Sequence, residues 1–359
     1  MNIVLFGAQA IALGTCKALQ KLNNHGMVLG FVVTKKGYNP DVLNGLSVEE
    51  LGEFHHRLVV ADMDSLEFII ATPENVQLEI EESLESYGFY HYHRLTSEEY
   101  ASLMELYYAN EGSFSLMHSL PMGSRKPFLR CLVALSEADK PLRSQAPYEK
   151  WMEPIQVGAA LGGRSIASLR DDKGNNISCK NRNYSELTAL YWLWKNCLLS
   201  EGGGHMYYGL MQYRRWLMIS EDDFLRLESN GVDVVLPYPM IYEPDISVHP
   251  KRYLKETDWQ ALMKALKELH PAYAEAFQGV LSQSYFYNYN IIMARKSVLA
   301  DYCRWLFPVL ERVEELSVPE GEDRADRYIG YMGEVLETLY FMYHKNDLHI
   351  VHTGCRFLV

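Results

Sequence analysis

Several features that would fix a function at sight are missing from this chain. Its six cysteines, Cys16, Cys131, Cys179, Cys197, Cys303 and Cys355, are scattered and form no CxxC pair. That spacing excludes a zinc knuckle and points to reduced thiols in a cytosolic protein. No run reaches the ~18 apolar residues that a bilayer span requires. Positive charge is scarce, with 34 Lys and Arg against 46 Asp and Glu and a formal charge of -12. A general nucleic-acid surface is thereby excluded, because phosphate backbones are held by clustered cations, and any basic site must be local. The opening MNIVLFGAQAIALG lacks the basic leader of a signal peptide and has the pattern of a first strand. There is no internal repeat and no low-complexity tract.

What is present is the material of a globular protein: 48% hydrophobic and 22% charged residues over 359 positions, enough for two ordinary domains. NIVLF, VLGFVVT and LEFIIATP read as strands alternating with the helical patterns GAQAIALGTCKALQKL and NVQLEIEESLESYGF, which predicts a parallel, Rossmann-like sheet over residues 1–110. Residues 111–127, rich in Ser, Gly and Pro, break both periodicities and read as a linker. A second α/β domain is expected over 128–359. FLRCLVALS, MYYGLMQYRRWLMI, VDVVLPYP and YNIIMA are its strands, and DWQALMKALKELH and VLADYCRWLFPVLERVEEL are its helices.

The first domain lacks a full dinucleotide fingerprint. Gly7 stands at the first glycine position, but Gln9 and Ala12 occupy the next two, and Thr34, Lys35 and Lys36 replace the ribose-binding acid. NAD is therefore not expected, although the helix start near Gln9 to Ile11 can hold an anion.

In the second domain, Asp171 and Asp172 precede Gly174, Asn175 and Asn176, which is turn chemistry or a site loop, without the alternating acids of an EF-hand. Asn183 and Glu186 fit a capping box ahead of an apolar helix through Leu187, Leu190 and Trp194, whose mouth opens on a pocket. Arg214 and Arg215 end an apolar strand; adjacent strand residues face opposite ways, so one of them faces a given site, where its planar fork suits phosphate. Tyr285, Tyr287 and Tyr289 alternate as on a strand and can share one face, with Asn288 and Asn290 as hydrogen-bonding partners. His344, His349 and His352 lack the spacing of a metal set.

The motifs IQVGAAL, LRDD, NISCKNRNYSELTALYWLWKN, YYGLMQYRRWL, YNIIM and RYIGYMGEVL, in this order across roughly residues 128–345, resemble a bacterial family of capsular or exopolysaccharide biosynthesis glycosyltransferases, originally a domain of unknown function. Such proteins are similar to GT-A glycosyltransferases, and some members are linked to galactofuranose transfer. This chain departs from the family at Gln212, where a histidine is usual, and at Val335, where an arginine is usual. The resemblance implies a nucleotide-sugar donor, expected as a UDP-sugar, and a saccharide or lipid-linked saccharide acceptor, with a cytoplasmic protein that can sit at the inner face of the membrane.

Transfer from such a donor requires neutralisation of the departing diphosphate and a base for the acceptor hydroxyl. Arg214, Arg215, Glu186, Asp171, Asp172 and Asn183 form the expected donor set, Glu334 is the expected catalytic base with Asp326 and Glu186 as alternatives, and Tyr289 and Asn290 are the expected acceptor contacts. The literal DxD, Asp62-Met63-Asp64, belongs to the first domain, so use of manganese or magnesium is left open, with Asp171 and Asp172 as substitutes. A non-catalytic nucleotide- or sugar-binding partner of the same pathway is the alternative reading.

Overall fold

The structure is a computed structural model that describes residues 2–22, 27–58, 63, 65–143, 146–199, 206–317 and 324–359. Its first sheet contains β1 (Asn2–Phe6), β2 (Val28–Val33), β3 (Val42–Leu43), β4 (Leu46–Glu50), β5 (Leu66–Ile70) and β6 (Tyr92–Arg94), ordered β3-β4-β2-β1-β5-β6. Neighbours are parallel except β3 and β4. Helices α1 (Ala10–Leu22), α2 (Leu51–Arg57), α3 (Gln77–Ser86) and α4 (Ser97–Glu111) connect or follow these strands. Val4, Leu5 and Phe6 are all buried, as expected of a parallel strand covered on both faces.

From β1 the chain builds β2 and β4 on one side and then returns to β5 on the other. A topological switch point therefore lies between the carboxyl ends of β1 and β5. Gly7 makes the turn there at φ 122°, and a Cβ on it would stand 2.9 Å from the Ala71 carbonyl oxygen, so a side chain is excluded on both counts.

The second sheet and its accessory strands comprise β7 (Ser115–Leu116), β8 (Phe128–Leu135), β9 (Met152–Gln156), β10 (Leu169–Arg170), β11 (Met206–Gln212), β12 (Arg215–Leu217), β13 (Val234–Pro237), β14 (Met240–Ile241), β15 (Tyr285–Phe286), β16 (Ile292–Arg295), β17 (Ile350–Thr353) and β18 (Cys355–Phe357). The main path runs β10-β9-β8-β11-β16-β13-β17-β7, with β16 antiparallel to both neighbours and the remaining pairs parallel. β12 turns off β11 and pairs with β18, while β14 and β15 pair separately. The chain lays β9 and β10 on one side of β8 and β11 on the other, which makes a second switch point between β8 and β11. Helices α5 (Asn181–Tyr184), α6 (Leu187–Leu193), α7 (Glu221–Ser229), α8 (Glu256–Leu269), α9 (Pro271–Leu281), α10 (Lys296–Ser317) and α11 (Tyr328–Tyr343) belong to this part.

Three local expectations are corrected. The capping box does not form: Asn183 lies inside α5, Ser185 leaves the helical path at φ 51°, and Glu186 occupies the N-cap of α6 without a capping bond from its side chain. The strand beginning MYYGLMQ ends at Gln212, because Tyr213 and Arg214 form the turn into β12. Nor do the three tyrosines share a face. Only Tyr285 lies on a strand, and the chain turns at Tyr289 and Asn290 with φ of 79° and 51°. Within the segment 111–127, Ser115–Leu116 adds an edge strand to the second sheet.

The two sheets are joined by a shared apolar cluster that includes Leu13, Met104 and Tyr108 from the first part and Tyr238 and Ile241 from the second. The Tyr108 hydroxyl donates to the Pro239 carbonyl at 2.7 Å, and the Phe357 amide donates to Ser97 Oγ at 2.9 Å. The result is that both switch points open towards one region.

Candidate active site

Two cavities meet in that region. A cleft of about 440 Å³ lies between the sheets, walled on one side by Gly7 to Ile11 and Ala71 to Pro73 at the β1/β5 switch point. Its other wall carries Arg215, Arg252, Arg327, Glu186, His249 and Glu334. A second cavity of about 340 Å³ sits at the carboxyl ends of β8 and β11, against Ala134, Ser136, Asp139, Val157, Arg182 and Tyr213. Ser185, Glu186, Gln212 and Arg327 line both. Each volume is within the range of small-molecule sites, and each lies where open α/β sheets bind ligands.

Glu186 is buried, and Asn290 Nδ2 donates to its Oε1 at 2.7 Å. The same amide nitrogen donates to the Gly330 carbonyl at 3.1 Å, which ties the turn before β16 to the first turn of α11. Close approach is needed here: a Cβ on Gly333 would stand 2.7 Å from both Asn290 Oδ1 and Leu187 Cδ1. Burial pushes the Glu186 carboxyl above its ordinary pKa; the Asn290 bond opposes that rise and the charge of Glu334 adds to it. Glu334 is also buried, with its Oε2 at 3.5 Å from His249 Nε2. One helical turn further along α11, Glu337 is 1% exposed, and neither of its oxygens has a protein partner.

The cations of the cleft are held by neutral groups. Arg215 lies over the Tyr289 ring at 3.9 Å and donates to Gln212 Oε1 at 3.1 Å, while Gln212 Nε2 donates to the Tyr289 carbonyl at 2.7 Å. Arg327, in the left-handed conformation at φ 62°, donates from Nε to Ser185 Oγ at 3.0 Å. Arg252 reaches across the cleft to the side-chain oxygen of Gln9. Among the described residues, none of these arginines forms an ion pair with an acid, although the charge of Arg327 is felt by Glu186 and Asp139. Tyr253 and Tyr331 stack at 4.5 Å and 20° on the same wall, a flat apolar surface of the kind that receives a sugar face.

The remaining expected site residues lie elsewhere. Arg214 lines neither cavity; its guanidinium lies 4.5 Å from the centre of the Tyr213 ring. Asp326 pairs with Arg324 at 2.6 Å and lies 3.8 Å from Lys255. Burial raises its carboxyl, but the Arg324 bond and charge outweigh this and hold it below the ordinary range. Asn183 donates to the Arg324 carbonyl at 2.7 Å. Asp171 is fully buried and accepts from the Gly158 and Ala159 amides at 2.9 and 3.1 Å and from Ser178 Oγ at 2.5 Å. Asp172 forms a bidentate pair with Arg170 at 3.1 and 2.8 Å. With their oxygens committed to protein donors, Asp171 and Asp172 do not fit a divalent ion.

Asp62 and Asp64 of the DxD lie outside the described residues. Among the described residues no group of three or more His, Cys, Asp and Glu is placed to hold a metal. His344, His349 and His352 bond separately, to the Tyr273 hydroxyl, the Asn230 carbonyl and the Tyr287 hydroxyl. Sequence reasoning did not find Ser185, Arg327, Arg252, His249 or the Tyr253–Tyr331 stack. The fall of Gln212 at a position usually occupied by histidine was a signal, since Gln212 lines both cavities.

The chain is similar to a solved apo structure of WbbM, described as a bifunctional glycosyltransferase, with a TM-score of 0.52 and 25% identity over 64% of this chain. It spans 45% of that longer protein. No curated protein matches it. No helix among the described residues is long and apolar enough to cross a membrane. A mixed α/β sheet of glycosyltransferase type is thus shared with the solved structure. The family model for the domain of unknown function DUF4422 matches residues 140–346, more than half of the sequence, and the chain belongs to that family.

Proposed function

We propose that this protein is a glycosyltransferase. It moves a sugar, with galactofuranose as one candidate, from a UDP-linked donor to a saccharide or lipid-linked saccharide of a capsular or exopolysaccharide pathway. The observation that carries this reading is the meeting of the two cavities at Ser185, Glu186, Gln212 and Arg327. A transferase needs two ligands whose reacting atoms touch, and this geometry supports a donor in the β8/β11 crevice and an acceptor in the cleft between the sheets. The likeness to a bifunctional glycosyltransferase supports the same class.

Glu186 is the carboxylate common to both cavities among the described residues. In the reaction, an acceptor hydroxyl attacks the anomeric carbon of the donor and its proton passes to Glu186. The bond from that carbon to the diphosphate oxygen breaks, and its electron pair leaves with the nucleoside diphosphate. A carboxyl raised by burial is a better proton acceptor than an exposed one. Arg327, which lines both cavities, meets the charge that develops on the leaving group. Tyr253, Tyr289 and Tyr331 offer ring surface to the acceptor.

The test is calorimetric titration with UDP, with and without manganese or magnesium, followed by an assay of UDP-sugar turnover. UDP binding that survives Glu186→Gln, with turnover reduced about 10²-fold or more, is the expected result. Failure of UDP and other nucleoside diphosphates to bind under any metal condition would sink the donor reading and favour a non-catalytic partner.

A further inference from the structure

The N-terminal part of the chain walls more than the cleft. A smaller chamber of about 90 Å³ lies beside it, where α4 and the end of β5 meet β13, β14 and β18. Leu95, Tyr100 and Ala101 line the chamber from the first part of the chain, and Pro237, Met240 and Phe357 from the second. Ile11, Thr72, Asn288 and Tyr289 line chamber and cleft alike, so the two adjoin. The charged side chains of the chamber are committed elsewhere: Glu74 accepts from the Ser97 amide at 2.6 Å, and Arg215 donates to Gln212 Oε1. Size limits the occupant. An apolar cavity of about 150 Å³ takes benzene, so this chamber takes a group of a few heavy atoms and excludes a sugar ring.

Two polar atoms of the shared wall have no partner. Asn288 is 6% exposed, and its Nδ2 donates to the Tyr242 hydroxyl at 3.2 Å, which leaves Oδ1 as an unpaired acceptor. The Thr72 hydroxyl is enclosed and likewise unbonded. Enclosed polar atoms are bonded in the great majority of folded proteins, so two exceptions on one wall point to a ligand that satisfies both. Such a ligand brings an N–H or O–H to Asn288, an acceptor to the Thr72 hydroxyl and a small apolar end to the chamber. An acetamido group has these three parts in its amide N–H, its carbonyl oxygen and its methyl.

We propose that the chamber is a subsite for the N-acetyl group of an N-acetylhexosamine acceptor. The amide N–H donates to Asn288 Oδ1, the Thr72 hydroxyl donates to the acetyl carbonyl, and the methyl fills the apolar space. This assignment rests on the transferase reading, in which the cleft receives the acceptor. It gives the N-terminal part a role in specificity, because that part supplies Thr72 and half of the chamber wall. A hexose with a hydroxyl in place of the acetamido group leaves the chamber empty and the Thr72 hydroxyl unpaired.

The experiment titrates the whole protein, with and without UDP, with the methyl glycosides of N-acetylglucosamine and N-acetylgalactosamine and with those of glucose and galactose, followed by saturation-transfer NMR. A preference of about tenfold or more for one or both N-acetyl glycosides over the matching hexosides, with the acetyl methyl held against the protein, is the expected result. Thr72→Val keeps the branched shape and removes a hydroxyl that has no protein partner, so its Tm should hold or rise while the preference falls about fivefold. Asn288→Ala should lower the preference at least as far. The subsite is overturned if the hexosides bind as tightly as the N-acetyl glycosides, if the preference survives both substitutions, or if no glycoside binds. UDP titration of the same proteins judges the donor reading independently. Loss of UDP binding beside a preference that Thr72→Val abolishes defeats that reading and leaves the subsite, and UDP binding without the preference does the reverse.

Discussion

Asn290 Nδ2 lies 2.7 Å from Glu186 Oε1, a hydrogen bond between residues 104 positions apart that fixes the one carboxylate seen by both cavities among the described residues. The bond favours the ionised form of Glu186 against the burial that disfavours it. Asn290→Ala removes it, so the Glu186 carboxyl is expected to titrate higher. A base must be deprotonated to work, so the acidic limb of the kcat profile should move to higher pH, and kcat at neutral pH should fall about tenfold or more. Pre-steady-state and steady-state rates between pH 5 and 9 check this. A uniform loss at every pH, with no movement of the limb, would mean that Asn290 acts only on packing.

Arg214 and Arg215 both lie over the Phe357 ring, at 5.7 and 4.9 Å, but Arg215 lines the cleft and Arg214 does not, and Arg327 takes the position at the cavity junction. Arg327→Ala is expected to lower UDP affinity and turnover, with kcat/KM down by about 10²-fold or more. Arg214→Ala should leave UDP affinity within about twofold, since the half-buried Arg214 lines neither cavity. Parallel titrations of the two variants decide the matter. An Arg214→Ala loss as large as that of Arg327→Ala would show that the guanidinium turns into the donor cavity when ligand binds.

These contrasts show what a sequence can carry. β8, β11 and β13 were legible because strands buried on both faces read as apolar runs, whereas the alternation expected of Arg214 and Arg215 does not apply, because β11 ends at Gln212 and Arg214 lies in the turn. Ser185, Tyr289, Asn290 and Arg327 were not legible as a set, because each turns through positive φ without glycine to announce it. Long-range pairs were equally hidden. Arg252 meets Gln9 across 243 positions, and only the docking of the two sheets brings them together. The apparent capping box of Asn183 and Glu186 misled because the local pattern was satisfied while a tertiary bond to Asn290 outcompeted it.

Asp171 separates a structural role from metal binding. Asp171→Ala leaves the Gly158 and Ala159 amides and the Ser178 hydroxyl without their buried acceptor, which costs about 3 kcal/mol or more. A fall in Tm on the order of 5 °C or more is expected in thermal unfolding. Any metal dependence of UDP binding should be the same as before the substitution. A selective loss of manganese dependence at unchanged Tm would instead make Asp171 a metal ligand.

Glu337 sets the pH dependence of stability. Its carboxyl is fully enclosed, both oxygens are without partners, and burial raises its pKa well above the ordinary value, with the charges of Glu334 and Glu186 adding to the rise. Tyr287 and Tyr302 are the other titratable groups that feel its charge. Because the folded pKa exceeds the unfolded one, the folded state binds more protons between the two values, and stability falls as pH rises through that window. Glu337→Gln cannot ionise and removes this term. The variant should therefore lose less stability than the unsubstituted protein between pH 5 and pH 8, with a Tm gain at pH 8 on the order of a few °C. Denaturant unfolding at the two pH values checks the sign. Equal slopes against pH for both proteins would mean that the Glu337 carboxyl is ionised in the folded chain as in the unfolded one, and would overturn the raised pKa.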